Sequence, residues 1–329
     1  ARRAARPLLL IGAAGLAACG GLRPERDAGF PTMLDRLPQG PSFRVLVLGD
    51  WGTGDEGQRE LARRMADVHA DDPPDLVLTV GDNFYPDGVE SVDDPKWARV
   101  FEDVYTEGFW DTVSIRPSLG NHDHRGSVDA QVEYSALDPR WDLPAPYYAF
   151  TRSVPGVGVL HFVALDTEPI DDEEPEARAQ LAWLGGELGR PADWTVAFGH
   201  HPLASSGLHG PSDEMVEYAL PYLQGNAHLY VAGHDHITEF AEVGGGLSNA
   251  VCGGGAGDDN ATRVLAAPGS FLAFSGGGWC VLRFFADQMA VELYDAGGTL
   301  RFRRVLPREG DGAPTPDDEP ASGAAAPTR

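Results

Sequence analysis

The chain has 329 residues, 42% of them apolar, which is ample for a buried core in one large or two ordinary domains. Acidic residues outnumber basic ones 50 to 25, giving a formal charge of −25. A surface of that sign excludes non-specific binding to nucleic acid or anionic lipid heads, and any anion site must supply positive charge locally.

In chain order, a basic start with Arg2, Arg3 and Arg6 precedes an apolar stretch, Leu8–Ala18, that is too short to span a bilayer. The pattern predicts an export signal over 1–18. A tether rich in Gly, Pro, Arg and Asp follows over 19–41, and one folded domain over 42–308. Short apolar runs at Val45–Leu48, Leu76–Val80, Leu160–Leu165, Thr195–Phe198 and Leu229–Ala232 read as buried strands. Helical spacing predicts helices over Glu56–His69, Pro175–Leu188 and Asp213–Leu223. The last part, Gly277–Leu306, reads as three strands joined by tight turns. The expected fold is α/β, a sandwich of two mixed sheets with helices outside. Residues 309–329 lack large apolar side chains and predict a disordered acidic tail. Cys252 and Cys280 fit a disulfide in an exported protein and fit two buried thiols equally well.

The chemistry sits where the apolar runs stop. Val45–Leu48 is followed by Gly49-Asp50, and Leu76–Val80 by Gly81-Asp82-Asn83-Phe84-Tyr85. Elsewhere Gly120 precedes Asn121 and His122, Gly199 precedes His200 and His201, and Gly233 precedes His234 and His236. In α/β sheets, sites form beyond the carboxyl ends of strands, and a glycine before each donor lets backbones approach closely. Two carboxylates, a phenol and several imidazoles suit hard or borderline first-row metals. A pair of metals needs a bridging group, which a carboxylate can be. A tyrosine binds as phenolate only to a strongly acidic cation, which favours a trivalent ion such as Fe(III).

The ordered set GDWG, GDNFY, GNHDH, GHHP and GHDH resembles the metallophosphoesterases, and specifically the purple acid phosphatases of the small tartrate-resistant type. The segments after GNHDH, around HGPSDEM, and at AVELYDAGGTLRFRRVLP extend the resemblance over 42–308. It implies a four-layer αββα sandwich. It also implies hydrolysis of phosphate monoesters by attack of a metal-bound hydroxide at a dinuclear Fe(III)–M(II) centre, M being iron, zinc or manganese. Asp50, Tyr85 and His236 would hold Fe(III); Asn121, His200 and His234 the divalent ion; Asp82 would bridge. His122 and His209 would be catalytic and, with Asn121, would bind substrate. Asp123 would orient the His122 ring. His201 stands where this family often has Tyr. Ser205 and Ser206 lie near the site, but no covalent serine step is needed. The loop TEPIDDEEPEAR stands at the place of a protease-sensitive loop in mammalian relatives, but it is short and acidic, so activation by cleavage is not expected.

Leu16-Ala17-Ala18-Cys19-Gly20 resembles a bacterial lipobox, which implies lipidation at Cys19 and a periplasmic or cell-surface lipoprotein, with the outer membrane preferred. The expected partners are small phosphomonoesters or phosphoproteins, with no nucleic acid, and the expected state is a monomer. The alternatives are a general Mn or Zn phosphoesterase acting on diesters or nucleotides, and a surface-binding lipoprotein with incidental catalysis.

Overall fold

The computed structural model describes residues 33–257 and 263–308. The export signal, Cys19, the first part of the tether and the whole acidic tail, 309–329, lie outside the described residues. Among those described, two mixed seven-stranded sheets stack face to face.

The first sheet comprises β1 (Met33–Leu34), β2 (Phe43–Leu48), β3 (Leu76–Val80), β4 (Ile115–Ser118), β12 (Gly278–Phe284), β13 (Gln288–Asp295) and β14 (Leu300–Pro307). Its order is β1-β14-β13-β12-β2-β3-β4, with β2, β3 and β4 parallel. The second comprises β5 (Tyr148–Val154), β6 (Gly158–Ala164), β7 (Trp194–Phe198), β8 (Leu229–Ala232), β9 (Ile237–Gly244), β10 (Leu247–Cys252) and β11 (Ser270–Ser275). Its order is β11-β9-β10-β8-β7-β6-β5, with β6, β7, β8 and β10 parallel. The predicted strands are all present, including the three at the C-terminal end. Within the stretch read as tether, Met33–Leu34 pairs with β14 and Asp35 Oδ2 accepts from Val305 N, so the fold begins before residue 42.

Period-two alternation distributes the strand side chains between layers. In β7, Trp194, Val196 and Phe198 face the inter-sheet core with Leu160 and Phe162 of β6, while Ala197 joins Val163 and Tyr230 on the opposite face. That face is covered by Leu184 of a helix at Ala177–Glu187 and by Met215 and Leu223 of a helical run over 213–223. The helix at Glu56–Val68 starts where Asp55 accepts from Gln58 N, and it buries Leu61, Ala62 and Met65 at helical spacing. Helix ends differ from the expected ones by one or two residues. The run predicted to start at Asp213 does start there, capped by Ser212 Oγ, which accepts from Met215 N; its turns widen over Met215–Ala219 and tighten again at Leu220-Pro221. Cys252 of β10 and Cys280 of β12 form a disulfide that ties one sheet to the other.

Candidate metal centre

The parallel strands of both sheets end at one place. β2, β3 and β4 deliver Asp50, Asp82 and Asn121, while β7 and β8 deliver His200 and His234, and His236 opens β9. Asp50, Asp82 and His234 take left-handed backbone conformations, with φ of 57°, 51° and 69°, an arrangement that concentrates at functional sites. The glycines permit the close approach. A Cβ on Gly120 would lie 2.3 Å from Asp82 Oδ1, and one on Gly233 would lie 2.5 Å from Asp50 Oδ2. Across the sheet interface, the His234 N–H donates to Asp50 Oδ2 at 2.9 Å, and His200 Nδ1 lies 2.9 Å from the Val80 carbonyl.

The donors fall into two groups that share Asp82. In the first, the Tyr85 hydroxyl lies 2.8 Å from Asp82 Oδ2, 3.2 Å from Asp50 Oδ1 and 3.2 Å from His236 Nε2. In the second, His200 Nε2 lies 3.5 Å from Asp82 Oδ1, 3.1 Å from Asn121 Oδ1 and 3.3 Å from His234 Nδ1. One oxygen of Asp82 thus faces each group. One donor atom each from Asp50, Asp82 and His200 falls within 4.8 Å of the others, a spacing that can hold a metal ion.

Hydrogen bonding alone does not satisfy this cluster. A carbonyl only accepts, so His200 Nδ1 carries its proton toward Val80, and in the form that can ligate, Nε2 presents a lone pair to the lone pairs of Asn121 Oδ1 and Asp82 Oδ1. The single Tyr85 proton can serve one of its three neighbours. Burial, then the charge of Asp82, drives the Asp50 carboxyl well above its usual range. Burial, then Asp50 and Asp82, drives the Tyr85 phenol well up. Burial also acts to raise Asp82, but His200 and His122 hold it below the ordinary value. Burial, then His200 and His209, lowers His234 to about 3, so the imidazole is neutral as a ligand must be. Facing lone pairs and crowded acids fit cations between them.

The flanking residues are less uniform. His122 Nδ1 contacts the Pro86 carbonyl, its ring stands 4.5 Å from that of Tyr85, and its Nε2 faces Asp82 Oδ2 at 3.9 Å. The expectation that Asp123 orients this ring is not met. Asp123 is fully buried and accepts from Gly120 N at 2.8 Å, Asn83 N at 3.1 Å and Gln131 Nε2 at 3.0 Å, bracing the two loops that carry Asp82 and Asn121. Burial, then Asp82, raises its carboxyl to about 7. The His209 ring lies 4.6 Å from that of His234, and the His201 ring also lies 4.6 Å from it. Ser205 and Ser206 turn their hydroxyls to Asp235 and Glu239 and serve structure.

Sequence reasoning passed over Asp235, which stands between His234 and His236. In an extended turn its side chain must point away from theirs, and it is fully buried. Its Oδ1 accepts from His209 N at 2.8 Å and its Oδ2 from Gly210 N at 3.0 Å, so it anchors the loop that carries His209. Asp235→Asn replaces one acceptor with a donor. We expect kcat for an alkyl phosphate, whose leaving group needs a proton, to fall about tenfold, the equivalent of one good hydrogen bond. p-Nitrophenyl phosphate, with a stable leaving group, should lose less than about twofold. Equal losses on both substrates would remove the link to His209.

A model of the calcineurin-like phosphoesterase family matches residues 43–238. Tartrate-resistant acid phosphatase type 5 of Sus scrofa is 33% identical over 299 residues, covering 82% of this chain and 88% of its own length. The Homo sapiens protein of the same name is 31% identical over 298 residues, covering 82% and 92%. Purple acid phosphatase 7 of Arabidopsis thaliana is 30% identical over 294 residues, covering 80% and 86%. The fold is shared with GAP50, titled the anchor in the inner membrane complex of Plasmodium, at a TM-score of 0.74 and 24% identity over 82% of this chain and 89% of that one. It is also shared with purple acid phosphatase PPD1 of yellow lupin seeds, at a TM-score of 0.61 and 16% identity over 88% of this chain and 58% of that one. The family model, these relatives and the two-sheet fold together place the chain in the calcineurin-like phosphoesterase family, among homologues of the tartrate-resistant and purple acid phosphatases, and make it a hydrolase of that family.

Proposed function

We propose that the chain is an acid phosphatase that hydrolyses phosphate monoesters at a dinuclear Fe(III)–M(II) centre, with iron, zinc or manganese as M. The observation that carries this is the division of seven donors into two groups, with one Asp82 oxygen facing each. Asp50, Tyr85 and His236 would hold the trivalent ion, Asn121, His200 and His234 the divalent one, and Asp82 both. When bound, the pair supplies Lewis-acid polarisation of the phosphate oxygens and a water acidified enough to serve as nucleophile.

The chain's own residues orient and protonate. Asp50 and Asp82 crowd the Tyr85 phenol, so it gives up its proton only to a strongly acidic cation, which supports the ferric assignment. Water attack on phosphorus in line breaks the P–O ester bond, and the alkoxide leaves with a proton. His122, fixed through Nδ1 by Pro86, turns Nε2 toward the cluster and, when protonated, can donate to a phosphate oxygen or to the leaving oxygen. His209 approaches from the side of His234.

The Mn or Zn diesterase is not favoured, because Tyr85 completes one donor group. Surface binding, for which a fold-mate titled an anchor is the precedent, is not favoured because every donor is in place. The test is hydrolysis of p-nitrophenyl phosphate and bis(p-nitrophenyl) phosphate across acidic to neutral pH, with elemental analysis and a visible spectrum. We expect monoester turnover with an acid optimum, iron in the protein, and a purple band that disappears in Tyr85→Phe. A colourless Mn or Zn protein that prefers the diester would replace this reading. We also propose export through residues 1–18 and lipidation at Cys19 of a monomeric enzyme; detergent partitioning lost in Cys19→Ala would support the anchor.

A further inference from the structure

Beside His234 and His209, away from the Tyr85 group, a cavity of about 290 Å³ opens from the candidate centre. His201, His209 and His234 line it on the centre's side, and Asp171, Asp213 and Glu214 also line it, with no Lys or Arg in its wall. Asp171 accepts from Ser212 Oγ at 2.6 Å. Among the described residues, the one basic group within ion-pair distance of any of these three carboxylates is His201, whose Nε2 is 3.9 Å from Asp171 Oδ2.

A second observation marks the cavity as a binding site. Thr167 Oγ1 accepts from His200 N at 3.2 Å and His201 N at 3.1 Å, which occupies its lone pairs. Its own hydrogen must then go to His201 Nδ1, 2.9 Å away. The proton of the neutral imidazole therefore sits on Nε2. That N–H belongs to a side chain 4% exposed and lies in the cavity wall with no hydrogen-bond partner among the described residues; the nearest carboxylate oxygens, of Glu168 and Asp171, are 3.7 Å and 3.9 Å away. A donor that opens into the cavity with no protein acceptor is free to serve a polar occupant.

We propose that this cavity is the leaving-group subsite, and that it selects phosphate monoesters whose alcohol portion carries an ammonium or other cationic group over those carrying a second anion. This rests on the phosphatase reading above. A phosphate seated at the candidate centre directs its ester oxygen toward His209, and the alcohol beyond it enters a space walled by three carboxylates. A cation there is attracted at short range, while a carboxylate or second phosphate is repelled and finds no Lys or Arg to pair with. The His201 N–H serves a hydroxyl or carbonyl oxygen of the same group.

The test compares kcat/KM for 2-aminoethyl, ethyl and 2-carboxyethyl phosphate, three esters of similar length whose tails differ in charge. At low ionic strength we expect the aminoethyl ester to exceed ethyl phosphate by about tenfold, and the carboxyethyl ester to fall below it by a similar factor. The spread should shrink with added salt, and to within about twofold in the double variant Asp213→Asn, Glu214→Gln. Equal turnover of the three esters by the unmodified enzyme overturns the proposal without any variant, and a spread that survives the double variant overturns its assignment to this cavity. p-Nitrophenyl phosphate measured alongside separates the two readings. Turnover of it with no ranking among the alkyl esters sinks only the subsite, and no turnover of any ester sinks the phosphatase reading as well.

Discussion

Asp82→Asn should lower kcat/KM for a phosphate monoester by at least about a thousandfold, or roughly 4 kcal/mol of transition-state stabilisation. Both carboxylate oxygens are engaged in different directions, Oδ2 toward Tyr85 and Oδ1 toward His200 and the backbone N–H of His122, which donates at 2.9 Å. An amide can keep the bond to His122 and the overall shape. It cannot present anionic oxygen to both donor groups, and its NH₂ would point a donor into one of them. Metal content should therefore fall along with activity, while far-UV circular dichroism stays the same. A variant that retains both metals and a near-normal rate would show that Asp82 does not join the two groups.

Replacing Cys252 and Cys280 together by alanine should cost about 3 to 4 kcal/mol of stability, from the entropy the cross-link removes from the unfolded chain across a separation of 28 residues. The bond does more than shorten a loop, because it joins strands of different sheets. The Cys252 carbonyl accepts from Gly49 N at 2.8 Å, one residue before Asp50, and a Cβ on the neighbouring Gly253 would lie 2.7 Å from Asp50 Oδ2. Losing the bridge should thus loosen Asp50 as well as the fold. Urea titrations of the double variant, and of the native protein with and without reductant, measure this. Coincident curves would mean that the close-packed interface alone holds the sheets in place.

The parts of the fold written as apolar runs were legible in the sequence. Val45–Leu48, Leu76–Val80 and Leu229–Ala232 are buried on both faces, so their hydrophobicity is continuous. β9 and β10 were not legible, because they spend buried positions on polar anchors. Glu239 accepts from Ser206 N and Oγ, and Asn249 accepts from Leu203 N and donates to the Ala204 carbonyl, both holding the 203–206 loop under the site. A window that counts apolar residues sees interruptions where the molecule has hydrogen-bonded struts. The seven donors could be read because each follows a glycine at a strand end, and the structure gathers all of them. What Asp123 and Asp235 do could not be read in the same way. Both lie inside recognisable motifs, yet each bonds backbone N–H groups whose positions only the folded loops define. The disulfide likewise depends on two sheets facing one another, which spacing along the chain does not encode.

The order of strands also bears on how the protein can be made. The second sheet is one unbroken stretch of chain, β5 to β11, whereas the first is begun by β1 to β4 and finished by β12 to β14. On a ribosome, Phe43–Leu48 can pair with Leu76–Val80 early, but its other side waits for Gly278–Phe284. For most of synthesis an apolar strand at the centre of the finished molecule is therefore an open edge, the geometry that invites pairing with the wrong chain. Nascent chains stalled before residue 278 should need holding by a chaperone, and truncation of the last hairpins should send the protein into inclusion bodies even though every proposed metal donor lies upstream of the cut.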